Sequence, residues 1–131
     1  YQMKKLLIVV SRYNNTNFIL EKTKKTLIKK KIKWEIIKVN GAFEIPVVIS
    51  KNLRKFDAFI AIGIIIKGQT PNFDFISQAI TNGLIDLSIL SKKPIGNSIL
   101  TCLNSKQALN RSNKGSEAVE AVLDVLNPKN K

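Results

Sequence analysis

The feature that most constrains this chain is an alternation of short apolar runs with segments of helical spacing, repeated four times. The runs "KKLLIVVS" (4–11), "KWEIIKV" (33–39), "FDAFIAIGIIIK" (56–67) and "KPIGNSILT" (93–101) have strand length. Helical spacing follows each one, over 17–31, 42–53, 71–91 and then 105–111 and 113–126. Two local signals support these starts: Glu44 and Pro46 suit a first helical turn, and Ser105 suits a cap. Strands that are apolar throughout need cover on both faces, so the pattern predicts a parallel sheet with helices on either side. Right-handed crossovers make this α/β chain a three-layer α/β/α sandwich of flavodoxin-like kind with a four-stranded parallel sheet. At 131 residues, with no linker or repeat, residues 1–131 read as a single domain.

Composition excludes some functions. No apolar run reaches the ~20 residues that span a bilayer, so no membrane role is expected. The start "YQMKKLLIVV" lacks a secretory cleavage pattern, and Tyr1-Gln2 is read as foreign to the native chain. One cysteine, Cys102, cannot form an internal disulfide, which fits a reducing, cytoplasmic location. There is no histidine to activate it as a nucleophile, and no cluster of metal-ligating spacing, so no metal is expected. The net charge of +13 admits a nucleic-acid binder. However, the lysines of "KTKKTLIKKKIK" (22–33) sit among helical apolar positions (Phe18, Ile19, Leu27, Ile28, Ile32) with no interleaved aromatics to stack on bases. A solvated lysine coat is the favoured reading, with no specific nucleic-acid partner.

In parallel α/β sheets, ligands bind beyond the carboxyl ends of the strands, which directs attention to residues 11–16, 40–44, 67–72 and 101–105. The loop "KGQTPN" (67–72) meets a helix opened by Pro71. Free N–H groups there favour an anion, Gly68 permits close approach, and Thr70 adds a hydroxyl. A plain capped turn fits the same residues. Glu44 either complements its helix dipole or accepts hydrogen bonds from a polyol. Tyr13 is either a wedge against the sheet or a stacking surface for a planar ligand. Arg111 and Lys114, near the last helix start, suit a phosphate clamp or a surface ion pair. There is no GxGxxG and no Walker loop. The residues by themselves therefore indicate a cleft for phosphate and polyol and leave the ligand open.

Taken in order, "VVSRYN", "NGAFEIP", "GIIIKGQTPNFDF", "PIGNSILT", "QALNR" and "NKGSEAV" resemble the 6,7-dimethyl-8-ribityllumazine synthase family over nearly the whole chain. The resemblance implies condensation of 5-amino-6-(D-ribitylamino)uracil with 3,4-dihydroxy-2-butanone 4-phosphate, releasing phosphate and two waters, without a cofactor. It places Tyr13 as the ring stacked on the pyrimidine, with Asn14 beside it. Ala42, Phe43 and Glu44 would hold the ribityl chain, and Ile65 and Ile66 the pyrimidine edge. Gly68, Gln69 and Thr70 correspond to the phosphate loop and Arg111 to the arginine that pairs with that phosphate. Lys114 corresponds to a lysine near the pyrimidine. The family's pocket lies between subunits, so Arg111 and the Asn97 region would come from a neighbour in a homopentamer. The few residues ahead of the first strand favour an isolated pentamer over a closed shell.

The chain departs from the family pattern at two positions. Many relatives have an aromatic where Asn97 stands, although Asn occurs there too. Asn72 replaces the usual histidine, the presumed proton shuttle, and asparagine does not titrate near neutrality. General acid–base catalysis is worth ~10²–10⁴-fold, whereas holding two reactants in register can supply up to about 7–11 kcal/mol. The expectation is an active but slower enzyme with weaker pH dependence. The alternatives, in order, are a relative that binds ribityl-pyrimidines or serves assembly without catalysis, and a basic nucleic-acid-binding domain.

Overall fold

The computed structural model describes residues 5–69 and 72–128. Four strands, β1 (Leu6–Ser11), β2 (Trp34–Val39), β3 (Ala58–Ile66) and β4 (Ile95–Cys102), form one sheet in the order β2-β1-β3-β4. Every neighbouring pair is parallel, from Leu6 opposite Trp34 and Ala58 to Phe59 opposite Ile95. The expected flavodoxin-like α/β sandwich is the observed fold. β1 and β3, the two central strands, are buried at every position, as their unbroken apolar sequences require. At the edge, β4 alternates: Gly96, Ser98, Leu100 and Cys102 are buried, while Asn97 and Thr101 are exposed.

Period-two alternation divides the core between the two faces of the sheet. Leu6, Ile8 and Val10 join Ile60 and Ile62 under α1 (Asn17–Lys29), α4 (Ser105–Asn110) and α5 (Lys114–Leu126). Leu7 and Val9 join Phe59 and Ala61 under α2 (Ile45–Lys51) and α3 (Phe73–Ser91). Helices on both faces give the three layers.

The structure corrects several local expectations. Residues 42–53 are not one helix: a 3₁₀ turn over Ala42–Glu44 precedes α2, which ends at Lys51. The cap of α4 is Asn104, whose side chain accepts from Gln107 N at 3.0 Å, and Ser105 is already helical. Ile28 is 63% exposed, because α1 buries Ile19, Leu20, Thr23 and Leu27 and turns Ile28 away. In α3 only Ile80 and Leu84 are buried. Phe75, Ile85, Ile89 and Leu90 remain exposed on its other faces. Of the lysines in and just after α1, Lys25, Lys29 and Lys30 are exposed, and two pair with carboxylates, Lys24 with Glu21 and Lys30 with Glu120. Among the described residues no helix is long and apolar enough to cross a membrane.

Candidate functional site

The strands' carboxyl ends carry the loops of interest, and β1 and β3 are adjacent, so the loops that follow them meet. Asn14 adopts φ 67°, a left-handed conformation that its short polar side chain tolerates. From there Nδ2 donates to the Ile64 carbonyl at 2.9 Å and to Gln69 Oε1 at 3.1 Å, tying the loop after β1 to the loop after β3. Gly68, at φ 97°, makes the turn between them without strain. Tyr13 is anchored by its backbone, N to the Asn40 carbonyl at 3.1 Å, while the side chain is 57% exposed. Its ring is therefore not a wedge against the sheet.

These loops enclose a cleft of about 200 Å³. Tyr13, Ala42, Phe43, Ile65 and Ile66 line it, with Asn14 and Gln69 as the polar groups. Seven residues expected at the site from the sequence thus share one apolar-walled cavity. Gly41, Ile64 and Ile76 also line it and were not anticipated. Gly41 offers only a missing side chain as a signal, and the two isoleucines look like any core residue. Glu44 is exposed and outside the lining; its Oε1 accepts from Gly41 N at 2.9 Å, closing the 3₁₀ turn on itself. The contact that Glu44 makes is therefore the local one expected of a carboxylate in a first turn. Thr70 and Pro71, the end of the anticipated anion loop, lie outside the described residues. Asn72 is the N-cap of α3, without a side-chain cap bond.

Arg111, Lys114 and Asn97 lie elsewhere. They line a second groove, of about 520 Å³, against the exposed face of β4. Arg111 Nη1 donates to the Thr101 carbonyl at 3.3 Å, and Asn97 Oδ1 accepts from Ile99 N at 2.9 Å. Lys114 opens α5, whose start is fastened to β4 by the fully buried Ser98, Oγ to the Lys114 carbonyl at 3.0 Å. The two cavities have no lining residue in common. Among the described residues no hydrogen bond or ion pair joins Arg111 to Gly68 or Gln69. One chain therefore carries two separate cavities: an apolar cleft beside an exposed aromatic ring, and a polar groove lined by Arg111, Lys114 and the Glu117 carboxylate.

Cys102 ends β4 with its side chain in the core, and burial pushes its thiol up from the ordinary value while nearby Arg111 pulls the other way. The net upward shift keeps it protonated and a poor nucleophile. Among the described residues no three or more His, Cys, Asp or Glu side chains are grouped to hold a metal ion.

Comparison with known proteins places this geometry. The chain is 42% identical over 98 residues to the 6,7-dimethyl-8-ribityllumazine synthase of Cutibacterium acnes, across 70% of this chain and 59% of that protein. The enzyme of the same name from Corynebacterium kroppenstedtii is 41% identical over 95 residues, across 67% and 60%. The matched stretch thus spans about three-fifths of these relatives. A solved structure, "Split gene transketolase, inactive beta4 tetramer", superposes with a TM-score of 0.58 over 95% of this chain and 41% of that one. At 15% identity it shares the fold alone. A sequence model of 6,7-dimethyl-8-ribityllumazine synthase matches residues 3–130, and the chain belongs to that family.

Proposed function

We propose that this protein is a 6,7-dimethyl-8-ribityllumazine synthase acting in riboflavin biosynthesis. It condenses 5-amino-6-(D-ribitylamino)uracil with 3,4-dihydroxy-2-butanone 4-phosphate and releases phosphate and water. The observation that carries this reading is the gathering of Tyr13, Ala42, Phe43, Ile65 and Ile66 around one cleft at the carboxyl edge of the sheet. Tyr13, with Asn14 beside it, stacks on the pyrimidine, the Ile65–Ile66 backbone borders its edge, and Ala42, Phe43 and Glu44 hold the ribityl chain. For Glu44 this means releasing Gly41 N and turning to substrate hydroxyls. Gly68, Gln69 and Thr70 bind the phosphate, and Arg111 completes that site with two-pronged charge-assisted hydrogen bonds.

Arg111, Asn97 and Lys114 belong to a groove separate from the cleft, so a complete site draws them from a neighbouring copy. We therefore infer a homo-oligomer, a pentamer with sites between subunits. The exposed apolar side chains of α3 support burial against another copy. No cofactor takes part: an aryl amine and a ketone condense once held together, and positioning is the larger share of the acceleration. Asn72 orients a water or the phosphate in place of the usual histidine, and the substrate phosphate carries protons. The enzyme acts as a single domain in the cytoplasm, with neither a specific nucleic acid nor a membrane as partner.

Asn72 also motivates a second reading, a relative that keeps the pocket without the chemistry. Mixing the protein with both substrates at neutral pH and following the lumazine by absorbance separates the two. The first requires product well above an enzyme-free control and a marked fall in Arg111→Ala. A background rate with the ribityl pyrimidine still bound establishes the second. An Asn72→His variant that gains no rate refutes the account of the missing histidine.

A further inference from the structure

On the lysine-rich helix α1, Lys22 is half-buried and directed to another element of the fold. Lys22 reaches across to the turn between α4 and α5, where Nζ donates to Ser112 Oγ and to Asn113 Oδ1, each at 2.8 Å. That turn is the segment between Arg111 and Lys114. Lys22 also heads a polar seam in which both helices step by four residues. The Thr26 and Ser116 hydroxyls are hydrogen-bonded at 2.9 Å, and Lys30 meets Glu120 at 3.4 Å. Between Lys22 and Thr26 the helices touch: a Cβ on Gly115 would lie 2.2 Å from Thr23 Oγ1.

Asn113 shows the effect of the contact. It is the N-cap of α5, a position where asparagine ordinarily accepts from the helix's own N–H groups, yet it makes no such bond. Its oxygen is turned to Lys22 instead. On the opposite side Ser98 holds the Lys114 carbonyl to β4. The turn is thus gripped from α1 and from the sheet, with Arg111 and Lys114 at its two ends.

We propose that Lys22 is a positioning residue: its ammonium fixes the Ser112–Asn113 turn so that Arg111, at the start of that turn, presents its guanidinium to the phosphate of the anionic substrate. The inference deepens the proposed function and rests on it. Lys22 itself does not touch substrate. Removing its donors frees the turn and lets Asn113 swing back to cap α5, which carries Arg111 away from its productive orientation.

The test is steady-state kinetics of Lys22→Met, which keeps the aliphatic stem, and Lys22→Arg, which keeps donors, with each substrate varied in turn. We expect KM for the phosphorylated ketone to rise about 5-fold in Lys22→Met. KM for the ribityl pyrimidine and the melting temperature should stay as in the unmodified protein, and Lys22→Arg should recover most of the loss. An unchanged KM for the ketone overturns the proposal. So does a rise in both KM values with a lowered melting temperature, which is the signature of a merely structural tether. Should the unmodified protein form no product above background, it is the proposed function that fails, and amide hydrogen exchange over residues 111–116 decides the inference. Faster exchange in Lys22→Met, restored in Lys22→Arg, upholds the clamp, and unchanged exchange overturns it.

Discussion

Gly115 offers a sharp test of the packing that brings α5 to α1. On helix propensity alone, Gly115→Ala should stabilise α5 by up to about 1 kcal/mol. The structure predicts the opposite sign. The added Cβ would lie 2.2 Å from Thr23 Oγ1 and 2.8 Å from the Ile19 carbonyl oxygen. Carbon–oxygen approaches normally stop at ~3.3 Å, so the shortfall is about 1 Å at the hydroxyl and about half that at the carbonyl. Thr23 is fully buried and donates to the same Ile19 carbonyl at 2.9 Å, so rotating it away breaks a buried hydrogen bond. The Ile19 carbonyl belongs to a helix backbone and cannot yield alone, so α5 must lift from α1.

Overpacking of this kind costs ~1–3 kcal/mol, and the lost hydrogen bond adds about 1 kcal/mol. After the propensity gain the net destabilisation is about 1–3 kcal/mol. For a chain of this size that lowers the melting temperature by roughly 4–11 °C. Circular dichroism melts at one fixed protein concentration provide the measurement. A Thr23→Ala/Gly115→Ala double variant should recover part of the loss, because the hydroxyl is gone and the carbonyl remains, leaving a coupling of about 1 kcal/mol. A Gly115→Ala protein that melts at or above the unmodified temperature would refute the account of the α1–α5 contact.

Other outcomes follow from single residues. Gly68→Ala meets no neighbouring atom within 4 Å, so its cost is backbone strain alone at φ 97°, about 1–2 kcal/mol in a urea titration; an unchanged midpoint contradicts the left-handed turn. Glu44→Ala removes the acceptor of Gly41 N and should cost ~1 kcal/mol of stability. It should also weaken binding of the ribityl pyrimidine, whereas calorimetry showing unaltered affinity would remove Glu44 from the site. The Cys102 thiol, raised by burial, should resist iodoacetamide at pH 8 in the folded protein and react in urea, and fast native alkylation would contradict its placement. The sign for stability is also set: as pH climbs past the ordinary thiol range the unfolded chain ionises first, so stability should fall there. With no histidine in the chain, any change in product formation between about pH 6.5 and 8 should follow the substrate phosphate, whose second ionisation lies at about 6, and a steep enzyme-borne inflection in that window would count against Asn72 as a non-titrating substitute.

The sequence by itself determined the class of fold. An apolar run such as "LLIVVS" or "AFIAIGIII" has no polar face to show to water, so it must be covered on both sides, and the helical segments between the runs provide the cover. It also determined which loops gather at one edge, because parallel strands put all their carboxyl ends together. That reasoning reached the loops that hold Tyr13, Ala42, Phe43 and Gln69, whereas Ile65 and Ile66 were expected at the cleft only through the family resemblance. Local capping was less so: the choice of Asn104 over Ser105, and the break between the 3₁₀ turn and α2, rest on one or two dihedral angles that neighbouring residue types permit equally. Exposure of Ile28 and Phe75 was not legible either, since helical spacing names an apolar position without saying which way the helix is turned. Only the tertiary structure decided that Arg111 and Lys114 line a groove apart from the cleft, and that one lysine of a solvated run clamps the turn between them. Both depend on where α4 and α5 dock against β4 and α1, and that is set by contacts such as Gly115 on Thr23 and Ser98 on Lys114, between residues far apart in the chain. Long-range packing of this kind leaves no periodicity and no motif, so Lys22 has no local signal to read, and the separation of Arg111 from the cleft was anticipated only through the family resemblance.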